Sequence, residues 1–173
     1  MKQRLVLSVR HSGTNFVGQF LNECNVKCRK LHPETLASDD ALLTLCRTHL
    51  TVVPLVELIK TIRSRFTRGH EDWELQVEGW RRVLLTSPEN PYYLPIDLIS
   101  RKPIIERCCW LMLMADHLEF EIPKEILLKW ANQWPEHRND EDRTKGFVPD
   151  LKPMSRELEK VKGLSEFLSL HGY

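Results

Sequence analysis

The side chains best placed for chemistry stand in one run, Arg10-His11-Ser12-Gly13-Thr14-Asn15. Within six positions it offers a permanent cation, an imidazole that titrates near neutrality, two hydroxyls, an amide and a glycine able to turn the backbone sharply. Together those types suit an anion. Consecutive backbone N–H groups converge at a glycine turn, and a helix that starts there adds the positive end of its dipole. Ser, Gly, Thr and Asn also favour helix caps and turns, so the run taken alone is more simply read as a capping turn. It lacks the paired glycines and the Lys of the Walker pattern.

The elements around the run give it context. Leu5 to Val9 precede it, apolar at almost every position, as suits a strand buried on both faces of a parallel sheet. Phe16, Val17, Phe20, Leu21 and Cys24 follow at helical spacing. Ser38 reads as the N-cap of a helix beginning Asp39-Asp40-Ala41. Leu50 to Val56 is a second strand candidate, in which Pro54 marks a strand end or an edge. It runs into a helical, basic-faced stretch from Leu58 to Phe66. Glu71 to Leu85 is amphipathic, with Trp73, Val77, Trp80, Val83 and Leu84 as its apolar stripe. Tyr92 to Leu98 reads as a short strand, and Lys102 to His117 as a helix. Pro123 suits the first turn of another. A polar, loop-like stretch, 135–154, leads to a C-terminal helix at 155–173. This alternation predicts an α/β fold, one domain over residues 1–173, with a small, mostly parallel sheet flanked by helices.

In that setting, Ser8-Val9-Arg10-His11-Ser12-Gly13-Thr14-Asn15-Phe16 resembles the phosphosulfate-binding loop of the sulfotransferase family, where Lys or Arg precedes Ser-Gly-Thr and an aromatic residue follows early in the helix. The resemblance implies a P-loop-type, three-layer α/β fold and 3′-phosphoadenosine 5′-phosphosulfate as donor. It assigns the donor's phosphosulfate to Ser12, Gly13, Thr14 and Asn15, with Arg10 and His11 acting on the transferring group. His11 holds a position where the family has Lys or Arg, and a largely neutral imidazole is a weaker electrophile. In the family an Arg at a strand end and a Ser eight positions later contact the 3′-phosphate. Ser64 keeps that spacing, but Val56 stands in place of the Arg. Lys60, Arg63, Arg65 and Arg68 offer cations nearby, on what is otherwise a solvated basic face. Tyr93 to Pro103 looks like the family's segment ahead of a Pro-started helix, and Arg143-Thr144-Lys145-Gly146 faintly echoes its Arg-Lys-Gly signature. The likeness covers residues 4–117 and 143–146, in a chain short for the family.

Other constellations read more plainly. Arg47-Thr48-His49-Leu50 resembles the family's segment bearing a catalytic His. His49 leads directly into a strand, however, and so falls at the amino end of the sheet, opposite the side where open parallel sheets bind ligands. Cys24, Cys28 and His32, spaced by four, would share a helix face but lack a fourth ligand, so no metal is expected. All five cysteines are expected to be buried and inert, and Trp73, Trp80, Trp110, Trp130 and Trp134 to belong to the core.

Charge narrows the functional classes. The 25 Lys and Arg against 24 Asp and Glu leave a net charge of +1, which excludes a generic polyanion or nucleic-acid binder and requires any phosphate affinity to be local. The apolar start is too short for a signal peptide, and no stretch approaches the roughly 18 apolar residues of a membrane span. A cytoplasmic protein with reduced thiols and no membrane partner is expected. Three functions fit. The first is sulfuryl transfer from 3′-phosphoadenosine 5′-phosphosulfate to a small-molecule hydroxyl acceptor. The second is a kinase using ATP or GTP with Mg on a small molecule or modified nucleobase. The third is a catalytically silent binding or regulatory module. The missing Walker Lys counts against the second and Val56 against the first, and the two losses together favour the third.

Overall fold

The computed structural model describes residues 2–10, 12–57, 60–61, 73–89, 91–134, 156–157 and 159–173. Four strands, β1 (Gln3–Leu7), β2 (Arg29–Leu31), β3 (His49–Leu55) and β4 (Tyr92–Pro95), form one all-parallel sheet in the order β2-β1-β3-β4. Among the described residues, seven helices flank it: α1 (Thr14–Glu23), α2 (Asp39–Thr48), α3 (Trp73–Leu85), α4 (Ile96–Ser100), α5 (Ile104–His117), α6 (Lys124–Asn132) and α7 (Leu164–Leu170). The expected three-layer α/β architecture is what the chain adopts. None of these helices is long and apolar enough to cross a membrane.

The layers follow from the period-two alternation of strand side chains. Val6 and Val52 point to one face, where they join Phe16, Val17, Phe20 and Leu21 of α1, Leu111 and Met114 of α5, and Trp130 of α6. Leu5, Leu7, Val53 and Leu55 point to the other, against Leu42 and Cys46 of α2, Trp80 and Val83 of α3, and Leu164 and Phe167 of α7. Leu5, Val6 and Leu7 are wholly buried, each contributing about 2 kcal/mol of apolar transfer energy. That burial explains why a five-residue strand can anchor the domain.

The winding sense matters for function. From β1 the chain leaves through α1 on one face to reach β2, whereas from β3 it leaves toward β4 with α3 on the opposite face. The connections after β1 and β3 therefore diverge, so the carboxyl ends of these two neighbouring strands form the topological switch point of the sheet, the place where open parallel sheets bind ligands.

Several boundaries differ from the sequence expectation. The first strand ends at Leu7, although Ser8 N still donates to Leu31 O at 3.1 Å. β2 is unforeseen, a three-residue edge strand whose Arg29 and Lys30 are exposed, as suits an edge protected by charge. Pro54 lies within a central strand. Pairing of β3 with β1 ends at Val52, so the missing N–H falls past the last rung on that side. The run Tyr92 to Leu98 turns helical at Ile96, because Asp97 in the first turn of α4 accepts a bond from the N–H of Glu57 at 3.0 Å. At the C-terminal end, Gly163, with φ of 85°, separates Arg156, Glu157 and Glu159 from α7, so the region is not one helix. Residues 135–154 lie outside the described residues, as does most of the helix expected at 58–66, of which Lys60 and Thr61 are helical. The Ser38 cap is present, its hydroxyl accepting from Ala41 N at 3.2 Å.

Candidate anion-binding site

The Arg10–Asn15 loop sits at the carboxyl end of β1, at the switch point with β3, where Gly13 packs against Pro54 and Ile96. It folds back on its strand: Ser12 N donates to Val9 O at 3.1 Å, and the buried Ser12 hydroxyl donates to the same carbonyl at 2.5 Å. The hydroxyls of Ser8 and Thr14 bond to each other across the loop. Gly13 is the N-cap of α1, with φ of 94°. A Cβ there would lie 2.3 Å from Ile96 Cδ1, so both the backbone angle and the space demand glycine. No side chain caps α1, and no acidic residue stands in its first turn. A helix start in that condition presents N–H donors and a positive dipole end, with Thr14 half-buried and Asn15 exposed at its mouth. Of the expected set, the structure brings Arg10, Ser12, Gly13, Thr14 and Asn15 together. Ser12, however, spends its hydroxyl proton within the loop.

Phe16, the aromatic that follows, does not face the switch point. It lies in the core at 5.1 Å from the ring of Trp130 and 4.9 Å from that of Trp134, and Trp134 Nε1 donates to Ile96 O at 3.2 Å. Both tryptophans are buried, as is Trp80, while Trp110 is partly buried against the same core. The core assignment of these four holds; the side chain of Trp73 lies outside the described residues.

Behind the loop is an acidic group that sequence reasoning missed. Arg10 Nε lies 3.3 Å from Glu34 Oε1, and the Glu34 side chain is 1% exposed against 38% for Arg10. Glu34 belongs to a 3-10 turn, Pro33–Thr35, which is held in place by Arg82: Nη1 donates to Pro33 O and Leu36 O at 2.8 Å each, while Nε bonds Glu78 at 2.6 Å. Gly79 lets α3 come this close, since a Cβ there would stand 3.0 Å from Glu34 Oε2 and 3.1 Å from Val9 Cγ1. Gln76, one turn earlier and buried, donates from Nε2 to Arg10 O at 3.4 Å, and its Oε1 has no hydrogen-bond partner among the described residues. Glu34 and Gln76 stand 24 and 66 positions from Arg10 in sequence, and no local pattern links them to it.

At the ends of β3 and β4 a second polar group gathers around buried Asp97. Its Oδ2 accepts from Glu57 N and, at 3.4 Å, from Lys60 Nζ; its Oδ1 meets the Tyr173 hydroxyl, which also lies 3.1 Å from Leu55 O. Burial, with the carboxylate of Asp97 beside it, holds the Tyr173 phenol well above its ordinary pKa. Lys60, expected among free phosphate-binding cations, instead lies between Asp97 and Glu57, 3.4 Å from each. Val56 is buried in the core. His11, Arg63, Ser64, Arg65, Arg68 and residues 143–146 lie outside the described residues.

The remaining candidates fall elsewhere. His49 is at the amino end of β3, bonded to Leu45 O at 3.0 Å and Gln3 Oε1 at 3.2 Å, and it lines a cavity of about 260 Å³ with Cys46, Thr51 and His117. Cys24, Cys28 and His32 do not share a helix face. α1 ends at Glu23, Asn25 takes a left-handed φ of 57°, and His32 lies past β2, where its Nδ1 donates to Ser8 O at 2.7 Å. That bond braces the loop from behind. Among the described residues, no three metal-ligating side chains come together. Burial pushes the Cys24 and Cys46 thiols up to about 11, in keeping with inert cysteines, but of the five expected in the core Cys46 alone is fully buried: Cys24, Cys28 and Cys108 are partly covered and Cys109 is exposed. Compared with protein-family models, curated proteins and solved structures, the chain has no match.

Proposed function

We propose that the protein is a small, sulfotransferase-like P-loop transferase that binds 3′-phosphoadenosine 5′-phosphosulfate at Arg10–Asn15 and passes its sulfuryl group to a hydroxyl of a small-molecule acceptor in the cytoplasm, where five free cysteines are at home. The observation that carries this reading is the uncapped start of α1 behind Gly13, set at the switch point where the windings after β1 and β3 diverge. The donor supplies an already activated group, so the chain's own work is binding, orientation and charge compensation. First-turn N–H groups of α1 and the Thr14 hydroxyl hold the anionic end, and Arg10 adds positive charge. His11 is the loop group able to take up the acceptor's proton. Ser64, with the basic residues around it, is assigned the 3′-phosphate.

A second reading is favoured by a specific observation. Two of the cations at this end of the sheet, Arg10 and Lys60, are already paired with carboxylates, Arg10 with Glu34 and Lys60 with Asp97 and Glu57. Such compensation suits a silent module that uses the same switch point for binding or regulation.

Calorimetric titration with 3′-phosphoadenosine 5′-phosphate, and with ATP and GTP in the presence of Mg, separates these readings when repeated on Asn15→Asp. Asn15 is exposed, and an acid in the first helical turn favours the fold while repelling an anion. Saturable bisphosphate binding that is lost in a normally folded variant supports the donor assignment. ATP or GTP binding alone replaces it with a kinase, and heat with none of the three leaves the silent module.

A further inference from the structure

The outer face of α5 is apolar and, among the described residues, uncovered. Ile105 is 77% exposed and Met112 55%, and Cys109 is exposed between them. Positions 105, 109, 112 and 116 follow the i, i+4, i+7, i+11 spacing of one helical stripe, and Leu113, also exposed, flanks it. A helix of 14 residues, about 21 Å long, that is apolar on its inner and outer faces alike is the pattern of a helix packed on both sides.

We infer that this face is the contact between two copies of the chain, packed as antiparallel α5 helices about a two-fold axis near Cys109. The stripe is self-complementary in that arrangement. With the axis passing between residues 108 and 109, Ile105 meets the partner's Met112, and the two Cys109 thiols come to the centre. Charge agrees with the direction. Exposed Arg101 precedes the amino end of α5, where Lys102 is paired with Glu106 at 3.7 Å, and exposed Asp116 and Glu119 stand at its carboxyl end, so that Arg101 meets the partner's Asp116 in this register. Antiparallel packing brings each basic end beside an acidic one, whereas parallel packing stacks like on like. One helix per copy gives a contact at the small end of stable interfaces, so the dimer forms reversibly with concentration.

Sedimentation equilibrium of the full chain across a wide concentration range, under reducing conditions, tests this. The expected result is a monomer–dimer equilibrium that weakens at least roughly tenfold in Met112→Glu and in Ile105→Glu, substitutions at exposed positions that leave the thermal transition in place. Charge reversal fixes the direction: Asp116→Lys weakens the dimer, and adding Arg101→Glu restores it. A short bis-maleimide links two wild-type chains and no longer does so when both thiols at the axis are removed, Cys108→Ser with Cys109→Ser. A monomer at every concentration overturns the proposal, as does a dimer indifferent to Ile105→Glu and Met112→Glu. Thiol linking that persists without Cys108 and Cys109, or a failed charge-reversal rescue, overturns the antiparallel geometry.

Discussion

Arg10 and Glu34 form an ion pair at 3.3 Å in which the carboxylate is buried and the guanidinium half-exposed. The asymmetry has a direct electrostatic meaning. Arg10 stands at the edge of the Arg10–Asn15 loop with part of its charge directed backward into the protein, so under the proposed function the loop's pull on an anion would depend on Glu34 as much as on Arg10. Gly79 and the Arg82 clamp on Pro33 O and Leu36 O keep that carboxylate in place.

Glu34→Gln is therefore expected to tighten binding of a phosphate-bearing ligand by roughly fivefold, the equivalent of about 1 kcal/mol for a partly exposed pair released. Arg10→Gln is expected to do the opposite, and also to destabilise the fold by about 2 kcal/mol, because it leaves a buried carboxylate with one cation fewer. Titration with the bisphosphate and thermal melts of both variants check this. Equal affinities in wild type and Glu34→Gln would detach Arg10 from the site.

Two glycines share a left-handed backbone and differ in surroundings. Gly13 has φ of 94° and a Cβ position 2.3 Å from Ile96 Cδ1; Gly163 has φ of 85° and nothing within 4 Å. Gly163→Ala is expected to lose about 1 kcal/mol, the cost of the backbone angle alone. Gly13→Ala adds overpacking against Ile96 and is expected to lose about 3 kcal/mol in all. Urea denaturation of the two variants measures the difference, which is the steric contribution of the loop's seat on α4.

How much of this could be read from the sequence depended on the range of the interaction. The β1–loop–α1 unit, the Ser38 cap, the placement of His49 at the sheet's amino end and the core tryptophans all follow from neighbours within about two helical turns. Glu34 behind Arg10, Asp97 beside Lys60 and Tyr173 over Leu55 are meetings across 24 to 118 positions, and charge alone does not say which carboxylate finds which cation. The basic stretch from Lys60 looked like free phosphate-binding charge for that reason. β2 was illegible because three residues, two of them charged, carry too little apolar pattern to mark a strand.

Stability is expected to fall as the pH drops from about 7 toward 5, through His117 and His171. Burial is the main cause holding both imidazoles below their ordinary pKa; for His117 the bond from Nε2 to Thr51 O and the nearby Asp116 and Glu119 carboxylates oppose it in part. A depressed pKa in the folded state means that the fold prefers the neutral ring. The stabilisation is complete above the unfolded pKa and is lost as the pH falls through the folded one. Denaturation midpoints across that window are expected to flatten in His117→Gln, which keeps a donor for Thr51 O but does not titrate. An unchanged slope in the double variant with His171→Gln would place the pH dependence elsewhere.

Phe16 lies edge-on to Trp130 and tilted against Trp134, both buried, while Trp130 Nε1 is tied to Glu23 Oε2 at 2.9 Å and Trp134 Nε1 to Ile96 O at 3.2 Å. With both indole N–H groups bonded inside the protein and all three rings covered, the cluster has no free face on which a nucleobase could stack. Its contribution to function is then indirect: it seats the start of α1 against α6 and so fixes where the N–H groups point. Phe16→Leu, which roughly conserves volume, is expected to lower stability by about 1 kcal/mol and leave bisphosphate affinity within about twofold. Phe16→Ala leaves a cavity and is expected to cost about 4 kcal/mol. If Phe16→Leu instead abolished nucleotide binding while the melt moved little, the ring itself would be contacting ligand, and the loop would have to open away from the core to bind.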